Sequence, residues 1–310
     1  PLSEKASRLA FFLYILFLQL ASAHHLLVDP GVSSEWKIFN TSYAMYLAVL
    51  GSMIHALTVP GTIEAAQRKR GFNKGMFEWL RKAPWGNPAF SGMFMSVVMF
   101  GFLGGISGVV MGTEQINLII HNTIYVPGHF HATVVAGTTL AFMAITYLLV
   151  PLIFRRHVMF PKVAKLQPYV FALGIAGISL FMMGAGTLGV PRRHWDITFA
   201  DALTSFQFSP AAFLMLALNG IFACMAALGG AMYIVVVVCS VFLGRKIGDN
   251  EKVQLGPVTG SQSAAAVAQY GSAGTLKIPG TVTLVAVFLV SFVLYYYVNW
   301  KYLAELWPLR

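Results

Sequence analysis

Long apolar stretches separated by short polar segments dominate the pattern of the chain. Seven of these stretches are long enough to cross about 30 Å of hydrocarbon as α-helices of about 20 residues. They lie near residues 6–25, 38–60, 89–112, 129–154, 168–190, 210–243 and 281–300. The sixth stretch is longer than a helix that crosses the membrane perpendicularly. We therefore expect it to tilt, to kink near Gly229 and Gly230, or to project into water. The pattern predicts an all-α, polytopic membrane helix bundle of about seven transmembrane helices.

The composition excludes most classes of soluble protein. Hydrophobic residues make up 57% of the 310 residues, the mean hydropathy is +0.70, and charged residues reach only 10%. A soluble domain usually carries about 25% charged residues. Intrinsic disorder, a coiled coil and a disulfide scaffold are also excluded. Residues 248–280 are rich in Gly, Ser, Ala and Gln, which predicts a flexible linker between the last two apolar stretches.

The basic residues are concentrated on one side of the predicted bundle. Sixteen of the 21 Lys and Arg residues fall on the face that carries the amino terminus and the loops near 68–82, 155–165 and 245–277. Because Lys and Arg are retained on the cytoplasmic side of membranes, this face is predicted to be the inner one. Topology and contact with anionic lipid account for the net charge of +10 without nucleic acid.

The first apolar stretch has a second interpretation. Lys5 and Arg8 precede an apolar run, and Ala21-Ser22-Ala23 follows it, as in a cleavable secretory signal. Against this reading, the chain does not start with Met and everything downstream is apolar enough to be membrane-embedded. A mature protein that begins at His24 would establish the signal peptide.

Six of the eight histidines are predicted on the outer side of the membrane. They are His24, His25, His121, His129, His131 and His194. Ionisable groups inside a bilayer are costly and tend to be functional, and imidazole suits copper and iron. His24 and His25 are adjacent at the end of the first stretch, where neighbouring imidazoles can converge on one ion.

The second histidine pair has a different geometry. His129 and His131, in Val126-Pro127-Gly128-His129-Phe130-His131, are two residues apart and therefore about 200° apart around a helix. They cannot share a metal, but each can hold the iron of a separate planar cofactor on its own side of the helix. Either pair alone is more often incidental than metal-binding. Their joint occurrence at one membrane depth predicts a metal and cofactor centre.

Two further outer features suit cofactors with anionic tails. Arg192 and Arg193 follow the fifth stretch, where they can pair with carboxylates such as haem propionates or reach lipid headgroups. Asn117 and His121, in the loop before the second pair, can bind the same carboxylates or satisfy loop backbone. Five glycines in the third stretch permit close approach of a helix or a cofactor. They are Gly101, Gly104, Gly105, Gly108 and Gly112.

Several of these motifs occur in one order along residues 1–195. His24-His25 is followed by Asp29-Pro30-Gly31 and Trp36-Lys37, then by the run Pro84-Trp85-Gly86-Asn87-Pro88-Ala89-Phe90, by His121-Asn122-Thr123 leading into VPGHFH, and by VPRR at 190–193. The chain thereby resembles catalytic subunit I of the haem–copper terminal oxidases, and most closely their B-type branch. The resemblance continues more weakly through the last two apolar stretches.

The resemblance implies roles for the four central histidines. His24 and His25 would be two of the three ligands of the active-site copper. His129 would be the proximal ligand of the high-spin haem, and His131 an axial ligand of the low-spin haem, with haems of b type expected. The family also needs a third copper histidine linked to a tyrosine, and another low-spin haem histidine, in segments that precede this sequence. Residues 1–310 are thus similar to the C-terminal half of subunit I.

The same resemblance implies roles for the polar residues around the histidines. Arg192 and Arg193 would bind propionates, and Asn117 and His121 fall in the propionate and proton-loading neighbourhood, although the family has an aspartate where Asn117 stands. Two residues of the second stretch would lie on an inward proton path. They are Ser52, which matches a hydroxyl of that path, and His55, which replaces a threonine and either relays protons or pairs with a neighbour.

The function implied is that of a respiratory enzyme in a prokaryotic plasma membrane. It would reduce oxygen to water at a haem iron and copper centre near the outer face, with coupled proton translocation. The partners implied are the N-terminal half of subunit I, subunit II, cytochrome c or quinol as electron donor, oxygen and lipid.

Two alternatives remain open. A nitric oxide reductase of the same superfamily would carry non-haem iron in place of copper, usually with glutamates near the metal, and none lies in the membrane near His24 and His25. A non-catalytic dihaem electron carrier would need paired histidines on facing helices for each haem.

Overall fold

A computed structural model describes residues 3–20, 25–193, 207–248, 250–251, 253 and 277–306. These ranges form α-helices joined by short turns, with three π-helical segments and no β-strand, so the all-α prediction is confirmed. The α-helices are α1 (Glu4–Leu20), α2 (Ser34–Phe39), α3 (Met45–Lys69), α4 (Glu78–Arg81), α5 (Pro88–Met99), α6 (Ile106–Met111), α7 (Glu114–Ile120), α8 (Tyr125–Phe130), α9 (Leu140–Ile153), α10 (Pro161–Thr187), α11 (Pro210–Leu243) and α12 (Pro279–Leu306). The π-helical segments are π1 (Asn40–Ala44), π2 (Phe100–Gly105) and π3 (His131–Thr139).

Five runs of helix in the described residues are long and apolar enough to cross a membrane. They are Leu47–Lys69, Pro88–Met111, Tyr125–Ile153, Pro161–Thr187 and Pro210–Leu243. The first predicted stretch is also helical, as α1 with 17 residues, and the last corresponds to α12, whose apolar part is the shorter run Pro279–Leu294. The sixth stretch is one continuous α-helix of 34 residues. Most of the predicted linker, residues 254–276, lies outside the described residues.

Contacts divide the chain into two compact units. The first comprises residues 1–83, 109–117 and 258–310, and the second comprises residues 84–108 and 118–257. In the first unit α1 packs against α3, where Gly51 faces the backbone of Ala10 and the ring of Tyr14. A Cβ at Gly51 would lie 3.2 Å from the carbonyl oxygen of Ala10. The glycine therefore sets how closely these two helices approach.

A buried carboxylate holds the start of α12 in the first unit. The side chain of Glu64, on α3, is completely buried and accepts hydrogen bonds from the backbone amides of Gly280 and Thr281, at 3.1 and 2.6 Å. It also forms an ion pair with Arg68 at 2.8 Å. The first amides of a helix lack partners within that helix, and the helix dipole favours negative charge there. Glu64 thus caps α12 from a different helix.

The second unit is built around α10. Its buried core includes Ala136 and Leu140 from the helix that carries the VPGHFH motif, and Phe171 and Ile175 from α10. Close packing of α10 against α11 depends on glycine, because a Cβ at Gly174 would lie only 2.7 Å from the Cα of Ala226. The helix that carries the histidine pair is thus packed against α10, which is itself closely packed against α11.

Candidate functional site

The VPGHFH motif lies inside a helix rather than at its first residue. α8 begins at Tyr125, about one turn before the apolar stretch predicted near residues 129–154. Pro127 and Gly128 therefore belong to the first turn of the helix. Proline is tolerated there because the first backbone amides of a helix have no partner within it.

His131 is the first residue of π3 and is half-buried. Its Nδ1 lies 2.7 Å from the carbonyl oxygen of Pro127, one turn earlier. A carbonyl oxygen only accepts hydrogen bonds, so Nδ1 carries the proton and the lone pair is on Nε2. Metal-binding histidines typically donate their second ring nitrogen to a carbonyl or carboxylate in this way. The side chain therefore fits an axial ligand of a haem iron.

His129 is buried, with 7% of its surface exposed, and its contacts reach a different helix. Its Nδ1 lies 2.9 Å from Oγ of Ser107, on α6. The ring also lies against Gly108, where a Cβ would be 3.0 Å from Cε1 of His129. One turn earlier Gly104 gives similar room, since a Cβ there would be 2.6 Å from Cγ2 of Thr133. Glycines of the third apolar stretch thus admit both the neighbouring helix and the imidazole.

The two imidazoles use separate oxygen atoms to orient their rings. His131 is anchored to its own helix, whereas His129 is anchored to the third apolar stretch. Phe130, between them in sequence, is 46% exposed. An imidazole donor set of this kind suits haem iron, and the assignment of the two histidines to separate cofactors stays a prediction.

The VPRR motif is tied to the segment that leads into VPGHFH. The amide of Ile124 donates to the carbonyl oxygen of Val190, and the amide of Arg192 donates to that of Asn122, both at 2.8 Å. The guanidinium of Arg192 also donates to Oδ1 of Asn122, from Nε at 3.1 Å and from Nη2 at 2.7 Å. Arg193 is exposed. The fold therefore brings the guanidinium of Arg192 close to the segment before α8, the helix that carries His129.

Sequence reasoning missed the role of Asn122. Its φ of 61° lies in the left-handed region, which asparagine adopts more readily than most residues. Arg193 also has a φ of 61°, which is unusual for arginine. The asparagine in His121-Asn122-Thr123 was the available signal, because asparagine favours left-handed turn positions.

Asn117 is buried on α7, with 2% of its surface exposed. Its Nδ2 donates to the carbonyl oxygen of Met111 at 2.7 Å, while its buried Oδ1 has no hydrogen-bond partner among the described residues. Buried acceptors normally have a donor, so this oxygen fits a water or a protonated carboxylic acid better than an ionised carboxylate. His121 follows the end of α7 and is half-buried.

The predicted copper pair falls only partly within the described residues. His25 is half-buried in the turn after α1, whereas His24 and His194 lie outside the described residues. The described ranges contain no group of three or more His, Cys, Asp or Glu residues that could hold a metal ion. The role of His24 and His25 stays a prediction.

The two residues of the expected proton path share a neighbour that sequence reasoning missed. The hydroxyl of Tyr14, on α1, donates to Oγ of Ser52 at 2.8 Å. The Tyr14 ring also stacks on the imidazole of His55, with centroids 5.5 Å apart and an angle of 15° between the planes. The structure therefore brings Ser52 and His55 together through Tyr14. A tyrosine inside an apolar stretch was the only signal in the sequence.

Comparisons with known proteins agree with these observations. The family model described as cytochrome c and quinol oxidase polypeptide I matches residues 1–221. Cytochrome c oxidase subunit 1 of Thermus thermophilus is 35% identical over 204 residues, which cover 64% of this chain and 35% of the relative. Cytochrome c oxidase polypeptide 1 of Halobacterium salinarum is 34% identical over 93 residues, which cover 30% of this chain and 15% of the relative.

A solved structure of a haem–copper terminal oxidase dimer has a similar fold. The TM-score is 0.72 with 28% sequence identity, and the match covers 96% of this chain and 50% of that chain. The chain thus spans about half of the solved chain and about a third of the Thermus relative. Because the family model matches most of its length, the chain belongs to the cytochrome c and quinol oxidase polypeptide I family.

Proposed function

We propose that this chain is the C-terminal part of subunit I of a B-type haem–copper terminal oxidase, which reduces oxygen to water with coupled proton translocation. One observation carries the proposal. Two imidazoles, two residues apart on an apolar helix, are anchored through Nδ1 to different oxygen atoms. Each is thereby oriented as the ligand of its own cofactor.

The histidines have distinct roles in this proposal. His129 binds the iron of the high-spin haem, His131 binds the iron of the low-spin haem, and His24 and His25 bind copper. When bound, the haems and the copper supply the redox chemistry, while the protein determines ligand orientation and surrounding charge. Haems of b type are expected.

Polar residues of the chain hold the acidic tails of the haems in this proposal. Arg192 binds a propionate with a guanidinium already oriented by Asn122, and Arg193 provides a second charge. Asn117 offers an acceptor to a protonated carboxyl group. Since an amide does not titrate, Asn117 itself carries no proton-loading role.

The assembly and its location follow from the same proposal. The N-terminal part of subunit I supplies the remaining ligands, subunit II and cytochrome c or quinol deliver electrons, and oxygen is the substrate. In this proposal the membrane is a prokaryotic plasma membrane, and the distribution of Lys and Arg supports metal ligands toward its outer side. Protons taken up from the inner side then cross the membrane potential, at about 2.3 kcal/mol per charge per 100 mV.

Metal analysis and optical spectra of the purified complex test the proposed function. We expect copper together with two haems, of which the one held by His129 would bind carbon monoxide when reduced. Non-haem iron in place of copper would indicate a nitric oxide reductase. Two haems that both fail to bind carbon monoxide would indicate an electron carrier and contradict the proposal.

A proton relay through His55 is a separate part of the proposal. Replacing His55 with leucine removes a titratable group beside Tyr14 and Ser52, so we expect turnover and proton uptake to fall by about 10-fold or more, as general acid–base groups typically contribute at least that much. Haem spectra should not change. Stopped-flow measurement of proton uptake, with a pH indicator, follows the effect directly.

The matched variant for this experiment is His55→Phe. Phenylalanine retains an aromatic ring to stack on Tyr14 but cannot carry a proton, so it should be as slow as the leucine variant. Normal uptake in His55→Phe would show that His55 only packs against Tyr14. Normal uptake in both variants would remove His55 from the path altogether.

A further inference from the structure

We propose that Ser107 is a positioning residue for His129: its hydroxyl fixes the tautomer of the imidazole and tunes the electron density that the ring gives to its iron. The inference deepens the proposed function, because it rests on His129 as a haem ligand. Ser107 is not one of the residues that the sequence motifs single out.

The hydroxyl of Ser107 has three oxygen or nitrogen neighbours. Ser107 is buried, with 2% of its surface exposed, and lies on α6 directly after π2. Its Oγ is 2.9 Å from Nδ1 of His129 and 3.1 Å from the carbonyl oxygen of Gly104, and it makes a shorter contact with the carbonyl oxygen of Leu103. The hydroxyl therefore lies between the backbone of its own helix and the imidazole of another.

The contacts of the Ser107 hydroxyl with its own helix favour one tautomer of His129. A serine hydroxyl has one proton to donate, and both carbonyl oxygens can only accept. When that proton is directed to Leu103 or Gly104, a lone pair of Oγ faces His129, and Nδ1 of His129 then carries a proton and donates it to Oγ. The remaining lone pair of the ring is then on Nε2, which is the arrangement that an iron ligand requires.

Ser107 also differs chemically from the group that anchors His131. Pro127 offers a backbone carbonyl, which no substitution removes, whereas Ser107 offers a side-chain hydroxyl. A hydroxyl that donates to a carbonyl becomes a better acceptor, because hydrogen bonds in a chain polarise one another. The basicity of His129 is therefore adjustable at a single side chain, whereas that of His131 is set by the backbone.

The space beside Ser107 limits how the ring can turn. A Cβ at Gly108 would lie 3.0 Å from Cε1 of His129, so the imidazole is in contact with the backbone of α6. With one ring edge against Gly108 and Nδ1 bound to Ser107, the direction of Nε2 is fixed. Removing the hydroxyl should leave the packing in place and change only the hydrogen bond.

The test is Ser107→Ala in the intact complex. Loss of an acceptor for Nδ1 lowers the basicity of a metal-binding imidazole. We expect the iron–histidine stretching band of the reduced high-spin haem to shift to lower frequency in resonance Raman spectra, and the midpoint potential of that haem to rise. The low-spin haem should keep its spectrum and potential. Loss of an outer hydrogen bond of this kind typically costs about 10-fold or more in cofactor affinity or activity.

Three variants make the test specific. Ser107→Thr retains a hydroxyl and should restore the band and the potential. Ser107→Cys, a weaker acceptor, should give an intermediate shift and replaces the alanine variant if that variant loses its haem. Ser96→Ala is the matched control, because Ser96 lies in the same run of helix, is equally buried, and donates only to backbone and to sulfur at Met93.

The results separate this inference from the proposed function. An unchanged band and potential in a haem-loaded Ser107→Ala complex would overturn the role of Ser107 and leave the oxidase proposal intact. The absence of any iron–histidine band in the unsubstituted complex would instead overturn the assignment of His129. A shift of the same size in Ser96→Ala would show that the effect comes from helix packing.

Discussion

Replacing His131 with leucine is expected to remove the low-spin haem while the high-spin haem stays bound. His131 and His129 are oriented by different oxygen atoms on different helices, so loss of one imidazole leaves the anchor of the other intact. Electrons could then not reach the high-spin haem through the low-spin haem. Loss of an outer hydrogen-bond partner of a ligand can reduce activity about 100-fold. Loss of the ligand itself is expected to reduce turnover by more than that.

The reciprocal variant His129→Leu is the control for this experiment. It should lose the haem that binds carbon monoxide and keep the low-spin haem. Reduced-minus-oxidised spectra and carbon monoxide difference spectra distinguish the two cases. Loss of the same haem in both variants, or of neither, would contradict the assignment of one cofactor to each histidine.

The second large effect is expected at Glu64, and it concerns stability. In Glu64→Gln the guanidinium of Arg68, whose side chain is 11% exposed, loses its carboxylate, and an amide replaces the acceptor of two backbone amides of α12. Breaking a buried ion pair by removing one partner typically costs about 3 kcal/mol or more. We therefore expect a clear decrease in the free energy of unfolding, measured by chemical denaturation in detergent.

Glu4→Gln provides the comparison. Glu4 and Arg8 have the same spacing of four residues as Glu64 and Arg68, but their side chains are 70% and 77% exposed. Exposed pairs of this type contribute little, about 0–1 kcal/mol. Equal destabilisation by the two substitutions would show that burial and the cap on α12 are unimportant.

The long apolar helices could be predicted because hydrocarbon thickness sets a minimum length for each apolar stretch. Helix boundaries depend on local backbone chemistry instead. α8 begins at Tyr125, about one turn before the apolar stretch predicted near residue 129, because a proline fits the first turn of a helix and does not end it.

Contacts between residues far apart in the sequence were beyond sequence reasoning. Ser107 and His129 are 22 positions apart, Asn122 and Arg192 are 70 apart, and Glu64 and Gly280 are 216 apart. No periodicity of a single helix relates such positions, because the contacts arise from the packing of separate elements. The histidine motifs themselves are local, and for this reason the sequence alone identified them.

The π-helical geometry of π3 has a consequence for the helix as a whole. In a π-helix the backbone hydrogen bonds span five residues instead of four, so the residues that follow are rotated relative to a continuous α-helix. The residues before π3 include the buried His129, and the residues after π3 include the buried Leu140 and Ala144. Because π3 rotates the second set relative to the first, the direction of His129 and the packing of Leu140 and Ala144 need not follow one common helical repeat.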